Sequence, residues 1–403
     1  MTLLDRSRTH LWKPLLHSVA AGGLNPSEHE LDYLAQAHWH HFRYLLGEMV
    51  GIDRTAKEVL VAPTHDEDGN VITPVRRISY DTLVVAVGSV TNDFGTPGAA
   101  VHAVPLETPD QAKRFHRRLL NACLHAQAQS EPIRPGQLHV AIVGAGATGT
   151  ELAAELHRTV REVVAFGLDR IDVAKDVRII LIEAAPRILQ ALPEDMAKST
   201  TAVLEILGVQ VRTSARVRAI DGKGVWLDGG DFVPSELVVW AAGVKAPDGM
   251  KDIGGLETNR INQIKVLPTL QTTRDPNVFV MGDCAECPRP DSDKPVPPRA
   301  QAAHQQASHL YRQIQRHMKG QPLKPYVYRD FGSLVTLGRY KTIGTMMGFL
   351  TGRGFRIDGL VARLVYLSLY KMHEYALNGG KWTFFAHFGR SIARQSEPQV
   401  KLH

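Results

Sequence analysis

The sequence predicts an α/β protein built on mostly parallel sheets, and three observations predict it. Apolar runs that end in a glycine or an acid alternate with amphipathic stretches, as when strands buried on both faces are covered by helices. One run, residues 138–143, leads through Gly144-Ala-Gly146-Ala-Thr-Gly149 into a helical stretch. The chain has 403 residues, too many for one ordinary domain and enough for two or three. Its 44% hydrophobic and 22% charged content exclude disorder, a collagenous repeat and a disulfide scaffold. Cys123, Cys284 and Cys287 are too few for a secreted disulfide framework and fit a reducing compartment. No apolar run approaches the roughly 18 residues of a spanning helix, and no signal peptide is apparent.

Taken in order, Met1–Asp5 reads as a very short strand ending in an acid. Residues 78–88 hold a continuous apolar run closed by Gly88, as a buried parallel strand would. Residues 108–127 read as a helix with Thr108 as N-cap and Pro109 at the first helical position. A linker spans 131–136. Further strands are expected at 177–189, 235–244 and 277–286, and helices at 196–209 and from Pro297 to about His317. No internal repeat is present.

The glycine turn is the most specific local signal. Gly144 permits a tight turn, Gly146 lets the backbone approach a pyrophosphate, and Gly149 lets helix and strand pack closely. The helix N-terminus offers N–H donors and positive dipole to phosphates. Glu183 ends the next strand, where a carboxylate accepts from ribose hydroxyls and repels a 2′-phosphate. NAD(H) is therefore preferred over NADP(H), a preference that Arg187 weakens slightly. Glu183 lies 34 residues beyond Gly149 where ~20 is usual, so the segment 157–176 supplies extra length.

A second nucleotide is suggested by Ala86-Val-Gly88 and Ala241-Ala-Gly243, each a small residue and a turn closing a strand. Asp283 follows another buried strand; it reads equally as a sugar-alcohol acceptor and as a helix N-cap or turn residue. Cys284-Ala-Glu-Cys287 is a lone C-x-x-C, which reads as structural rather than redox or zinc-binding, since one pair cannot complete a tetrahedral site. Gln301 and Gln305 share a helix face, as solvated glutamines or as amide donors to a ligand.

The net charge of +6 is unevenly placed. Residues 339–403 carry ten Lys/Arg against three Asp/Glu, and ten of the 27 aromatics; the rest carries 37 basic and 38 acidic residues. Basic and aromatic residues in one terminal block suggest a membrane surface at least as strongly as nucleic acid, and no nucleic-acid partner is expected. Residues 360–377 and 381–394 read as amphipathic helices. In the second, Trp382, Phe384, Phe385 and Phe388 lie opposite Arg390 and Arg394. Packing on the body or on a partner subunit is the alternative use of these faces.

Across essentially the whole chain the sequence resembles the type II NADH:quinone oxidoreductases, the single-subunit, non-pumping NADH dehydrogenases of bacterial respiratory membranes. The resemblance is carried by "HLWKPLLHSVAAGGL", "YDTLVVAVGSVTNDFGTPG", "IVGAGATGTELAAEL", "VWAAGVKAPD", "PTLQTTRDPNVFVMGDCAECPRP" and "VPPRAQAAHQQA". It implies two Rossmann-like dinucleotide-binding domains, a discontinuous FAD domain (1–107 and 256–338) and an NADH domain (108–255), followed by a membrane-association segment (339–403).

It implies FAD and NADH as cofactors, with Asp5, Lys13, Ala86, Gly88, Gly243, Asp283, Ala300 and Gln301 among the cofactor contacts beside Gly144, Gly146, Gly149 and Glu183. Glu151 matches the family's acid beside the nicotinamide, although a favourable acid in a first helical turn explains it equally. Gln301, His304 and Gln305 match the quinone-site motif; His304 reads either as a proton relay or as a polar helix residue. The partners implied are a membrane quinone, ubiquinone or menaquinone, and a bilayer surface on the cytoplasmic face of the inner membrane, with a homodimer left open. One departure stands out. The strand–GxGxxG–helix that opens the family's FAD domain is expected to be missing, about 30 residues. Two rivals remain: a flavin-dependent disulfide or ferredoxin reductase, and a degenerate, FAD-deficient NADH-binding protein on the membrane.

Overall fold

The computed structural model describes residues 1–338, 342–347 and 354–359 and the single positions 368, 375 and 400. Apart from Ser368 and Tyr375, the helices expected over 360–377 and 381–394 lie outside the described residues. The chain forms two compact units: Met1–Leu11, Glu30–Val90 and Val244–Asp330 make the first; Trp12–His29, Thr91–Gly243 and Phe331–His403 make the second.

In the first unit, strand Thr2–Asp5 runs parallel to Arg43–Leu46, with Asp5 opposite Leu46. Leu83–Val85 runs parallel to Val278–Val280. These are two separate two-stranded ladders, accompanied by an antiparallel sheet of Met49–Asp53, Glu58–Val61 and Arg76–Ser79. Val278, Phe279 and Val280 are fully buried with Val85, Leu256, Ile264 and Leu270. Each such side chain stabilises the fold by roughly 1.5–3 kcal/mol relative to exposure. The strand expected over 277–286 stops at Val280, because Gly282–Cys284 turns into a 3-10 helix. The helix Ala300–Met318 buries Ala302, Gln306, Leu310 and Gln313, one stripe at helical spacing.

The second unit carries a five-stranded parallel sheet in the order Ala103–Pro105, Leu237–Trp240, Leu138–Val143, Val177–Ile182, Gln210–Arg212. The chain leaves the central strand Leu138–Val143 toward Val177–Ile182 on one side and returns to Leu237–Trp240 on the other. Such a switch point opens a crevice at the carboxyl end of the central strand, and Gly144 stands there. Helix Pro109–Ala128 starts with the expected cap: Thr108 and Gln111 form a reciprocal capping box. Helix Ala147–Ala165 and the segment to Asp176 supply the extra length before the second strand.

The two units divide the chain at other places than the expected domain bounds. Residues 12–29 cluster with the second unit because Leu15, Leu16, Val19, Ala20 and Ala21 are buried there, their short helix Leu16–Ala20 packing on Pro109–Ala128 and Ala147–Ala165. The long stretch of the second unit runs from Thr91 to Gly243 against the expected 108–255, and the chain passes back to that unit at Phe331 against the expected 339.

Candidate functional site

The glycine turn is formed as its sequence demands. Gly144 has a φ of +100°, a left-handed value open mainly to glycine. A Cβ there would stand 2.7 Å from Ala242 Cα, and one on Gly149 would collide with the Gly144 carbonyl oxygen. Gly146 is different: nothing lies within 4 Å of the place its Cβ would take. It caps helix Ala147–Ala165 without any side-chain acceptor, and Gly146, Ala147 and Thr148 are exposed. The result is an open helix N-terminus with the donors and dipole an anion needs.

Glu183 is held at the rim of this turn. The Ala145 N–H donates to its Oε2 at 2.8 Å and the Ala185 N–H to its Oε1 at 2.9 Å. Two backbone donors fix the carboxylate and leave further lone pairs for hydroxyl donors. The strand expected over 177–189 ends at Ile182 because the following residues wrap the turn, the Leu189 N–H donating to the Ala145 carbonyl. Arg187 is committed elsewhere: its guanidinium donates to the carbonyls of Leu189, Gln190 and Leu192, so it does little to recruit a 2′-phosphate.

One turn into the helix, Glu151 is buried, which is not how a solvated first-turn acid sits. The Thr336 N–H donates to its Oε1 at 3.0 Å. Its Oε2 lies 3.5 Å from His17 Nδ1, while Glu155 Oε1 lies 3.6 Å from His17 Nε2. The Ser18 hydroxyl also donates to Glu155 Oε1, at 2.9 Å. Burial opposes charge on His17, but the two carboxylates outweigh it and raise the imidazole to about 9. Burial pushes the Glu151 carboxyl up to about 7, against the pull of His17 and the Thr336 N–H. Burial pushes Glu155 the same way, yet His17, Ser18 and Arg158 hold it below its ordinary value. Sequence reasoning missed His17 and Glu155; the signal was present in the i, i+4 spacing of Glu151 and Glu155, which puts two carboxylates on one helix face.

Elsewhere in the second unit, Lys13 Nζ donates to Glu107 Oε2 at 2.9 Å, and Thr91 Oγ1 donates to the other oxygen of Glu107. Gly243 closes strand Leu237–Trp240 with a φ of +65°. Its α-carbon faces the ring of Phe94.

In the first unit, Asp5 closes its strand and accepts from the Ser7 N–H at 2.7 Å and the Tyr33 hydroxyl at 3.4 Å. Tyr33 stacks on Tyr44 with centroids 5.5 Å apart. Ala86 is exposed just past the strand Leu83–Val85. Gly88 has open space above it and a φ of +70°. Asp283 is not a helix N-cap, since Met281 holds that place; its Oδ2 accepts from the Ser89 hydroxyl at 2.8 Å. Buried Gln306, unforeseen from sequence, accepts from the Gly282 N–H at 2.7 Å and ties the start of the long helix to the Asp283 turn.

On that helix Ala300 and His304 are exposed. Gln301 donates to Asp330 Oδ1 at 3.2 Å, beside the Arg299–Asp330 ion pair at 3.1 Å. Gln305 donates to the Arg329 carbonyl at 2.8 Å and accepts from the Arg329 N–H at 3.1 Å. Both amides thus help seat residues 329–330, and Gln305 in particular has its carbonyl and amino group engaged.

Cys284 and Cys287 are buried free thiols, which burial raises to about 11 and about 12. A redox pair needs a lowered thiol, so this environment suits structural cysteines. Among the described residues no helix is long and apolar enough to cross a membrane.

Residues 1–307 match the family model for pyridine nucleotide-disulphide oxidoreductases. The chain is 36% identical over 415 aligned positions to a type II NADH:quinone oxidoreductase of Haemophilus influenzae, covering 100% of this chain and 93% of that one. It is 32% identical to the type II NADH:quinone oxidoreductase NdhA of Mycobacterium tuberculosis, covering 94% and 80%. In three dimensions it is similar to NDH2 from Plasmodium falciparum, solved in complex with NADH, with a TM-score of 0.84 at 17% identity over 100% of this chain and 94% of that one.

Proposed function

The chain belongs to the type II NADH:quinone oxidoreductases, and from that premise we propose that it oxidises NADH and reduces a membrane quinone through FAD, without pumping protons. The observation that carries this reading is the open turn at Gly146 with the Glu183 carboxylate held at its rim by Ala145 and Ala185. A dinucleotide pyrophosphate fits the uncapped helix end, and its adenosine ribose fits the carboxylate. Gly243 borders the same switch point.

The first unit fits FAD at its two ends. Asp5 offers a strand-end carboxylate to the adenosine ribose. Ala86 and Gly88 leave space for close approach, and Asp283 offers a carboxylate held by Ser89. Asp5 and Ala86 each lie at or just past the carboxyl end of a strand in a parallel ladder, Thr2–Asp5 with Arg43–Leu46 and Leu83–Val85 with Val278–Val280. When bound, FAD supplies the two-electron relay between nicotinamide and quinone.

The protein's own residues position and polarise. The start of helix Ala300–Met318 presents Ala300 and Gln301 with positive dipole, which suits a ring that gains negative charge. We place the quinone along Gln301, His304 and Gln305, and Glu151 beside the nicotinamide. Residues 339–403, with their basic and aromatic excess, serve as the bilayer contact of a peripheral protein on the cytoplasmic face.

The test is spectroscopic. Purified full chain supplied with FAD should turn yellow, bleach on NADH, and recover its colour on a soluble quinone. Protein that stays colourless and leaves NADH unoxidised would overturn the reading in favour of a degenerate NADH-binding protein.

A further inference from the structure

The group at His17 is built as a clamp. Its imidazole, 2% exposed, bridges two carboxylates one helical turn apart, Glu151 on Nδ1 and Glu155 on Nε2. The three side chains come from two segments far apart in sequence. A third segment closes on them, because the other oxygen of Glu151 accepts the Thr336 backbone N–H. Such a site makes sense only if at least one partner is charged to hold the others. Two buried carboxylates on one helix face repel one another unless a cation or a proton sits between them.

The geometry points to His17 as the positioning residue of Glu151: its imidazolium fixes the orientation of that carboxylate and sets its proton affinity, and so ties the proton count of the site to the seating of strand Gly332–Thr336. His17 touches neither nucleotide nor quinone in this assignment; it acts through Glu151. The assignment rests on the proposed NADH:quinone activity only for its kinetic consequence.

The charged neighbours can be named element by element. From helix Ala147–Ala165 come Glu151, Glu155 and Arg158; Arg158 also approaches Gly23. From helix Pro109–Ala128 the buried titratable group is His116, whose ring lies against Gly22. The strand Gly332–Thr336 contributes a backbone N–H. The His17 segment itself adds Ser18 on Glu155 and the Pro14 carbonyl on His17. Glu155 Oε2 is buried without a hydrogen-bond partner among the described residues. That leaves His17 and Ser18 as the groups that offset its charge most directly, with Arg158 behind them.

The test compares the full-length protein with His17→Gln and Glu151→Gln. Difference infrared spectra over a pH series should show one protonated-carboxyl band in the wild type that disappears in Glu151→Gln. In His17→Gln the midpoint of that band should move up by about one pH unit or more, as expected when a carboxylate loses a cation within ion-pair distance. The pH profile of quinone reduction should move with it. A merely structural role for His17 would lower melting temperature and specific activity and leave the midpoint in place; that result overturns the assignment. If His17→Gln does not fold, nitrogen NMR of histidine-labelled wild type decides. The His17 ring should remain doubly protonated at about pH 7.5, a unit above the ordinary imidazole value, and a neutral ring there overturns the assignment. Neither spectroscopic arm requires turnover, so failure of the proposed activity and failure of this assignment give different results.

Discussion

The Ala145 backbone N–H donates to the Glu183 carboxylate at 2.8 Å, joining the first turn of the nucleotide crevice to the end of the neighbouring strand. Replacing Glu183 by Ala removes this tie and the ribose acceptor together. The KM for NADH should rise about tenfold, corresponding to ~1.4 kcal/mol, with kcat retained. The ratio of NADH to NADPH efficiency should fall, because the charge that repels a 2′-phosphate is gone. Steady-state kinetics with both nucleotides checks this, and an unchanged NADH KM would remove Glu183 from the site.

Two glycines of the turn should respond in opposite ways. Gly149→Ala drives a Cβ into the Gly144 carbonyl, an overpacking cost of roughly 1–3 kcal/mol. Melting temperature should drop by roughly 2–4 °C for each kcal/mol. Gly146→Ala places its methyl in open space, so stability should hold while NADH affinity falls. Thermal melts and NADH titrations on both variants separate the two effects.

Stability should also depend on pH through the buried cluster. His17 binds its proton more tightly in the folded chain than in the unfolded one, so its contribution is complete below 6.5 and is lost as pH rises through about 9. Glu151, raised from 4.5 to about 7, acts in the same direction at lower pH. Melting temperature should therefore decline from neutral to alkaline pH, and decline less in His17→Gln. Calorimetry across that range reads the difference.

The C-x-x-C should be dispensable for chemistry. Cys284→Ala combined with Cys287→Ala should retain NADH–quinone activity, since both thiols are buried and raised to about 11 and about 12. Loss of quinone reduction in a folded double variant would instead favour the disulfide-reductase reading.

Membrane attachment is better tested by substitution than by truncation. Val400 is fully buried in a cluster with Cys123, Ala126, Leu138, Val163 and Ile171, so deleting residues 360–403 would also remove a core residue of the second unit. Changing Trp382, Phe384, Phe385 and Phe388 together to Ser should release the protein from anionic vesicles in a flotation assay, while NADH binding survives. Continued flotation would rule out these aromatics as the anchor.

Much of the second unit was legible because its signals are local. A strand, a glycine turn and a helix N-terminus lie within about one βαβ unit, and the Thr108–Gln111 capping box is readable from four residues. What escaped was long-range. Residues 12–29 read as part of the first domain because nothing in Leu15, Leu16 and Val19 says which helices they pack on. The strands end at Ile182 and Val280, short of the expected bounds, because apolar residues continue past them into the Glu183 turn and the 3-10 turn Gly282–Cys284. His17 was passed over because a single buried histidine in an apolar stretch carries no partner in its own neighbourhood. Its partners lie more than a hundred residues away, at Glu151 and Glu155.

The burial of Val400 gives the basic, aromatic stretch of sequence a second duty. Its side chain packs with Cys123, Ala126, Leu138, Val163 and Ile171, and burying such a side chain stabilises a fold by roughly 1.5–3 kcal/mol. A change at Val400 should therefore be felt first in the melting of the second unit, by way of helix Pro109–Ala128 and the central strand Leu138–Val143, before any surface is involved.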